Sequence, residues 1–142
     1  FEAVGEEYWP DYFGKIRQCL KPGGKAGLQI ITIADRSFAS YRKRADFIQR
    51  YIFPGGMLPS PTALRQQVAQ AGLTWAGNLE FGLDYAETLK LWRERFRAAW
   101  PDISAQGFDE RFRRMWEYYL SYCEAGFRAG NIDVTQLTLA RQ

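Results

Sequence analysis

This sequence predicts an α/β fold, and three observations predict it. The stretch "KAGLQIITI" (25–33) is short, β-branched and nearly all apolar, the pattern of a parallel strand buried on both faces. It follows a helical segment that "KPGG" ends, and helix, turn and buried strand in that order make half of a doubly wound unit. Later in the chain, two long segments carry large aromatic residues at helical spacing between further strand-like runs.

Each element has its own reason. In residues 8–20 Tyr12, Phe13, Ile16 and Leu20 repeat at helical spacing, and Pro10 suits the first turn. A second helix is expected over about 38–51, followed by the turn-forming "FPGGMLPSP". Ser60 as cap, Pro61 at the first helical position and Gly72 past the end frame a helix with Leu64 and Val68 on one face. "LTWAGNLEF" (73–81) reads as a strand. In "DYAETLKLWRERFRAAWP", Asp84 and Glu87 have capping-box spacing, Tyr85, Leu89, Trp92, Phe96 and Ala99 share a stripe, and Pro101 ends the run. The last helix places Phe108, Phe112, Met115, Trp116, Tyr119, Cys123 and Phe127 on one broad face, with Asp109–Arg113 and Glu110–Arg114 as outer pairs. "NIDVTQLTLAR" (131–141) closes as an alternating strand. No repeat or linker divides the chain, which reads as one partial domain over 1–142.

Composition limits the chemistry. With 142 residues, 46% of them hydrophobic and 25% charged, the chain can bury a core, and no apolar run approaches the roughly 20 residues of a membrane-spanning helix. The two cysteines, Cys19 and Cys123, are far apart and suggest neither a zinc site nor a disulfide framework, which fits a reducing, cytoplasmic setting. There is no histidine, so Ser-His-Asp, Cys-His and HExxH arrangements are excluded. Acid–base work must fall to carboxylates, tyrosines or something bound.

The net charge is +3, but "DRSFASYRKRADFIQR" concentrates Arg36, Arg42, Lys43, Arg44 and Arg50 against Asp35 and Asp46. This is either a solvated helical face or a surface for phosphate headgroups, where each cation contributes about 1 kcal/mol. No nucleic-acid motif accompanies it. The aromatic stripes are likewise open to two readings, ordinary core or a slot for a long apolar ligand.

Several motifs in order carry a resemblance. "FEAVGEEYWPDYF", "LKPGGKAGLQIITI", "YIFPGGMLPS", "LDYAETLKLWRERF" and "CEAGFRAGNIDVTQLTLAR" resemble the C-terminal half of the cyclopropane-fatty-acyl-phospholipid synthase family, which includes the mycolic acid cyclopropane synthases. The resemblance implies the C-terminal portion of a Rossmann-like class I methyltransferase fold, starting just after its fourth strand, with a helical lipid-covering insertion at about 84–128. It implies transfer of a methyl(ene) group from S-adenosylmethionine to the double bond of unsaturated acyl chains of phospholipids. The Gly-rich loop and the acidic residue that bind this cofactor in the family have no counterpart here, so no cofactor-binding residue and no metal ligand is assigned, and the chain alone is expected to be inactive.

The resemblance also implies a bound bicarbonate as proton acceptor. Its ligands carry over to Glu2, to the backbone of Ile31 and to Tyr85, with Gln29 in the place of a histidine. A Gln amide donates a hydrogen bond but cannot take a proton, which opens a methyl-branched or methylene-bearing product as an alternative to the ring. Gln29 also lies in an apolar strand, where a buried amide needs a partner. Phe53, Trp92, Trp116 and Tyr119 are the candidate lipid-binding residues. Expected partners are phospholipid acyl chains, a membrane surface met peripherally and a second copy of the chain, which an open edge of 25–33 would invite. The competing reading is a non-catalytic lipid-binding or interaction module.

Overall fold

The strands assemble because each carries apolar side chains that must leave water together. In the computed structural model, which describes residues 1–142, β1 (Lys25–Ile33), β2 (Thr74–Glu80) and β3 (Ile132–Ala140) form one sheet in the order β1-β3-β2. β3 is antiparallel to both neighbours: Ala26 faces Leu139 and Leu28 faces Leu137, while Trp75 faces Leu139 from the other side. Since side chains alternate along a strand, Leu28, Ile30, Leu137 and Leu139 share one face of the sheet. The helices α1 (Trp9–Cys19) and α4 (Pro61–Gln70) supply Phe13, Leu64 and Val68 to the same core.

Local signals set the boundaries of these helices. Pro10 lies in the first turn of α1, Leu20 is extended at its end, and Gly23 takes a φ of 76° to turn the chain into β1. Ser60 Oγ accepts a hydrogen bond from Ala63 N at 3.2 Å and so caps α4. Gly72, at a φ of 69°, ends α4, and a Cβ there would lie 3.0 Å from Arg17 Nε. That position combines a left-handed backbone with a close approach, which only glycine tolerates cheaply.

The structure departs from the sequence-based expectations in several places. β1 is not a parallel strand covered on both faces: its partner is antiparallel, and along 25–29 residues alternate between exposed and half-buried. Its opposite face carries Gly27, Gln29 and Ile31, and Gln29 is exposed. The helix expected at 38–51 is two, α2 (Asp35–Tyr41) and α3 (Phe47–Tyr51), because Asp46 and Gln49 form a reciprocal capping box that starts a new helix.

Residues Phe1–Phe81 with Ile132–Gln142 form one compact unit, and Gly82–Asn131 form another. The second unit consists of α5 (Gly82–Ala98), the short α6 (Trp100–Ala105) and α7 (Glu110–Arg128). α5 starts at Gly82, so Asp84 sits inside the first turn and forms no capping box with Glu87, which instead meets Lys90 and Arg128. Asp109 caps α7 by accepting from Phe112 N at 2.8 Å rather than pairing with Arg113. Arg113 bridges Glu110 and Glu117, so the expected Asp109–Arg113 pair is replaced. No helix is long and apolar enough to cross a membrane.

Candidate active site

Glu2 is held from two directions. Its side-chain Oε1 accepts a hydrogen bond from Ile31 N at 2.5 Å, and its backbone carbonyl accepts one from Met57 N at 2.8 Å. The first bond follows from the geometry of β1. Gly24 and Arg141 are joined by Arg141 N donating to Gly24 O, so even-numbered residues of β1 bond to β3 and odd-numbered ones point to the free edge. Ile31 N and Ile33 N are therefore edge donors, and Glu2 and the Pro59 carbonyl satisfy them. The half of the edge at Lys25, Gly27 and Gln29 has no such partner within these residues.

The second bond depends on the loop after α3. Gly55 takes a φ of 81°, and a Cβ on Gly56 would stand 3.1 Å from Phe53 O and 3.3 Å from Glu2 O. The "FPGG" turn therefore lets the loop close on the Glu2 backbone. Gly56 and Met57 are site-building residues that pattern reasoning passed over as turn formers. Tyr12 is another: burial first and the Glu2 charge second hold its phenol above the ordinary value. Helical spacing had marked it only as core.

Of the four residues taken for the anion site, Glu2 and Ile31 are brought together. Gln29 Oε1 accepts from Gln136 Nε2 at 3.0 Å across the exposed sheet face, so the amide finds its partner on β3 and is not buried. The two-residue offset from Ile31 keeps it on the same side of β1. Tyr85 belongs to the helical unit, where its ring stands edge-on to Phe127 at 5.2 Å and to Trp92 at 6.1 Å.

A bound bicarbonate would need open donors. Glu2 itself fills the Ile31 N–H, whereas the Gln29 amide, which accepts from Gln136 through its oxygen, keeps its Nε2 hydrogens as donors.

The candidate lipid-binding residues fall in both units. Phe53 lies on the loop after α3 and is 53% exposed. In the helical unit a run of rings follows α7: Phe108 to Phe112 at 4.5 Å, Phe112 stacked on Trp116 at 5.6 Å, and Trp116 to Tyr119 at 5.1 Å. Phe96 of α5 meets Phe112 at 6.3 Å. Trp92 remains 46% exposed. Burial pushes the Tyr119 hydroxyl up to about 12, with smaller contributions from Cys123 and Tyr85.

The chain matches the family described as mycolic acid cyclopropane synthetase over residues 1–137. It is 46% identical over 142 residues to tuberculostearic acid methyltransferase of Mycobacterium tuberculosis, covering 99% of this chain and 33% of the relative. It is 38% identical over 146 residues to cyclopropane-fatty-acyl-phospholipid synthase of Escherichia coli, covering 99% of this chain and 35% of that protein. A mycolic acid cyclopropane synthase solved with SAH and CTAB superposes with a TM-score of 0.88 at 29% identity, over 99% of this chain and 52% of that one. The chain thus spans about a third of the length of these curated relatives and half of the solved one. With an α/β arrangement shared with these enzymes and a match along almost all of its length, the chain belongs to the mycolic acid cyclopropane synthetase family.

Proposed function

We propose that this chain is the acyl-handling C-terminal part of an S-adenosylmethionine-dependent methyltransferase acting on the double bonds of unsaturated acyl chains in phospholipids. The observation that carries this reading, in a chain of this family, is Glu2 held at the β1 edge by Ile31 N. S-adenosylmethionine, when bound, supplies the methyl group as a sulfonium electrophile. We assign its site to parts of the whole protein outside these residues. SAH in a solved relative supports the cofactor, and CTAB in the same structure supports a long-chain ligand.

Methyl transfer to an alkene carbon breaks the sulfur–carbon bond, forms a carbon–carbon bond and leaves a cation on the acyl chain. Loss of a proton from the new methyl group closes the ring, whereas a 1,2-hydride shift that moves the cation onto the methyl-bearing carbon, followed by loss of a methyl proton, leaves a methylene branch. In this reading Glu2, held at the β1 edge by Ile31 N, takes the proton, and a bicarbonate that accepts from Gln29 Nε2 would be the alternative acceptor. In the sheet-bearing unit Gln29 is a further member of the site and Phe53 meets the acyl chain; in the helical unit Tyr85, Trp92, Trp116 and Tyr119 are the residues that meet it. A second copy joins through the open edge at 25–29, and a strictly monomeric mass at high concentration would count against that assembly.

The whole protein, expressed in a bacterium that makes no cyclopropane lipids, should add one CH2 to monounsaturated acyl chains, read by gas chromatography–mass spectrometry. Unchanged lipids would reject the activity. Glu2→Gln keeps an oxygen for Ile31 N but loses the proton acceptor, and a general base is worth roughly 100-fold to 10,000-fold in rate. A wild-type rate would reduce Glu2 to a structural role.

A further inference from the structure

We infer that the α2–α3 segment is a docking surface for an anionic lipid bilayer, with Lys43 and Arg44 meeting headgroup phosphates and Tyr51 and Phe53 entering the interface beside them. The inference rests on the phospholipid reading above and names the face that would meet the membrane.

Charge is the first observation. Arg36, Arg42, Lys43, Arg44 and Arg50 are all exposed. The carboxylates of the same segment are engaged within the chain: Asp35 accepts from Thr62 N at 3.3 Å and Thr62 Oγ1 at 3.0 Å, and Asp46 accepts from Gln49 N at 2.9 Å. Arg42 is held by Glu6 at 2.8 Å. Lys43, Arg44 and Arg50 have no carboxylate within ion-pair distance. Together with Arg36, Ala39 and Ser40, Lys43 and Arg44 line a shallow depression. An anionic surface is the charge complement to this arrangement.

Aromatic exposure is the second observation, and it separates a bilayer from an acidic soluble partner. Tyr51 is 60% exposed and Phe53 53% exposed, and Pro54 and Gly55 after them are exposed as well. Aromatic rings beside a basic run are what an interfacial surface presents, since the cations meet headgroups while the rings sit at headgroup level.

The test is co-sedimentation of the protein with vesicles of phosphatidylglycerol and phosphatidylcholine in equal parts, against phosphatidylcholine alone, at low and high salt. Binding should need phosphatidylglycerol and weaken with salt. Lys43→Ala with Arg44→Ala should lower the partition coefficient about 30-fold at low salt. Arg111→Ala with Arg114→Ala removes the same charge from exposed positions on α7 and should leave binding near the parent level. Phe53→Ser should weaken binding at both salt concentrations. Equal losses in the two double variants, unaltered binding by Phe53→Ser, or equally tight binding to soluble polyglutamate would overturn the inference. So would an absence of vesicle binding by the parent. Because sedimentation requires no turnover, a protein that binds these vesicles yet modifies no lipid would reject the proposed activity and leave this surface standing.

Discussion

The two units solve the problem of stability by different means. In the sheet-bearing unit, Phe13, Ile30, Leu64 and Leu139 are completely buried, and apolar packing closes around the strands. In the helical unit, Ala86, Leu89, Leu120 and Phe127 are buried, while Trp92 and Phe108 keep almost half of their surface. There, ion pairs connect the helices: Arg93 meets Glu124 at 2.6 Å, Arg128 bridges Glu124 at 2.9 Å and Glu87 at 3.1 Å, and Arg97 meets Glu117 at 3.1 Å. Apolar cores depend little on pH or salt, whereas charge networks depend on both. The difference teaches that a unit whose rings stay half-exposed can tie its helices together with charges that pH and salt reach.

The largest expected effect breaks the buried apolar side of this comparison. Phe13→Ala removes a fully buried ring that also meets Phe1 and Tyr12, and should cost about 3 to 5 kcal/mol. Urea unfolding followed by circular dichroism would measure it. A loss under 1 kcal/mol, on the order of a surface change, would show that the core tolerates a void there.

A smaller effect sharpens the electrostatic side. Burial opposes ionisation of Glu124, but hydrogen bonds from Arg128 and Arg93 and the charges of both outweigh it, so its carboxyl lies below the ordinary range. The hydrogen bond from Arg97 does the same for Glu117, against a smaller opposing effect of burial. Carboxyls lowered by folding contribute stability that is present above their unfolded value and lost as pH falls through the folded one. Hydrogen exchange in α5 and α7 should therefore accelerate below about pH 4.5, ahead of β1 and β3. Glu124→Gln should reduce stability by about 1 to 3 kcal/mol and flatten this acid response. Equal acceleration in both units would remove the distinction.

The smallest effect lies among the aromatic rings. Tyr119, raised to about 12 mainly by burial, should escape ionisation when the other tyrosines titrate by ultraviolet absorbance. A raised phenol contributes stability that is full below its unfolded value near 10 and is lost as pH rises through about 12. Tyr119→Phe should remove this alkaline dependence, with less than about 1 kcal/mol of change at neutral pH. Ionisation of every tyrosine near 10 would mean that the α7 rings are open to water.

Local signals were legible where the physics is local. Pro10, Ser60, Pro61 and Gly72 bound their helices by restricting φ or supplying a cap, and these constraints need no distant partner. The same logic ended the strand at 25–33 close to where it ends. Asp46 and Gln49 carried an equally local signal, a capping box that divides the helix expected at 38–51, and it went unread. Motif order along nearly the whole chain also led to the family that the match over residues 1–137 shows.

Tertiary structure decided what depends on a neighbour remote in sequence. Periodicity shows that "KAGLQIITI" is apolar but not which strand lies beside it, and β3, more than a hundred positions later, sets both the antiparallel pairing and the exposure of Gln29 opposite Gln136. The residues that flank Glu2 carry no local signal that would hold it. It becomes a held group because the alternation of hydrogen bonds along β1 directs Ile31 N away from β3, and because Gly56 has no Cβ to keep the loop from closing on Glu2. Chain-local propensity decided where the elements lie. The pairing of edges and the room left by one missing side chain decided which of those elements form a site.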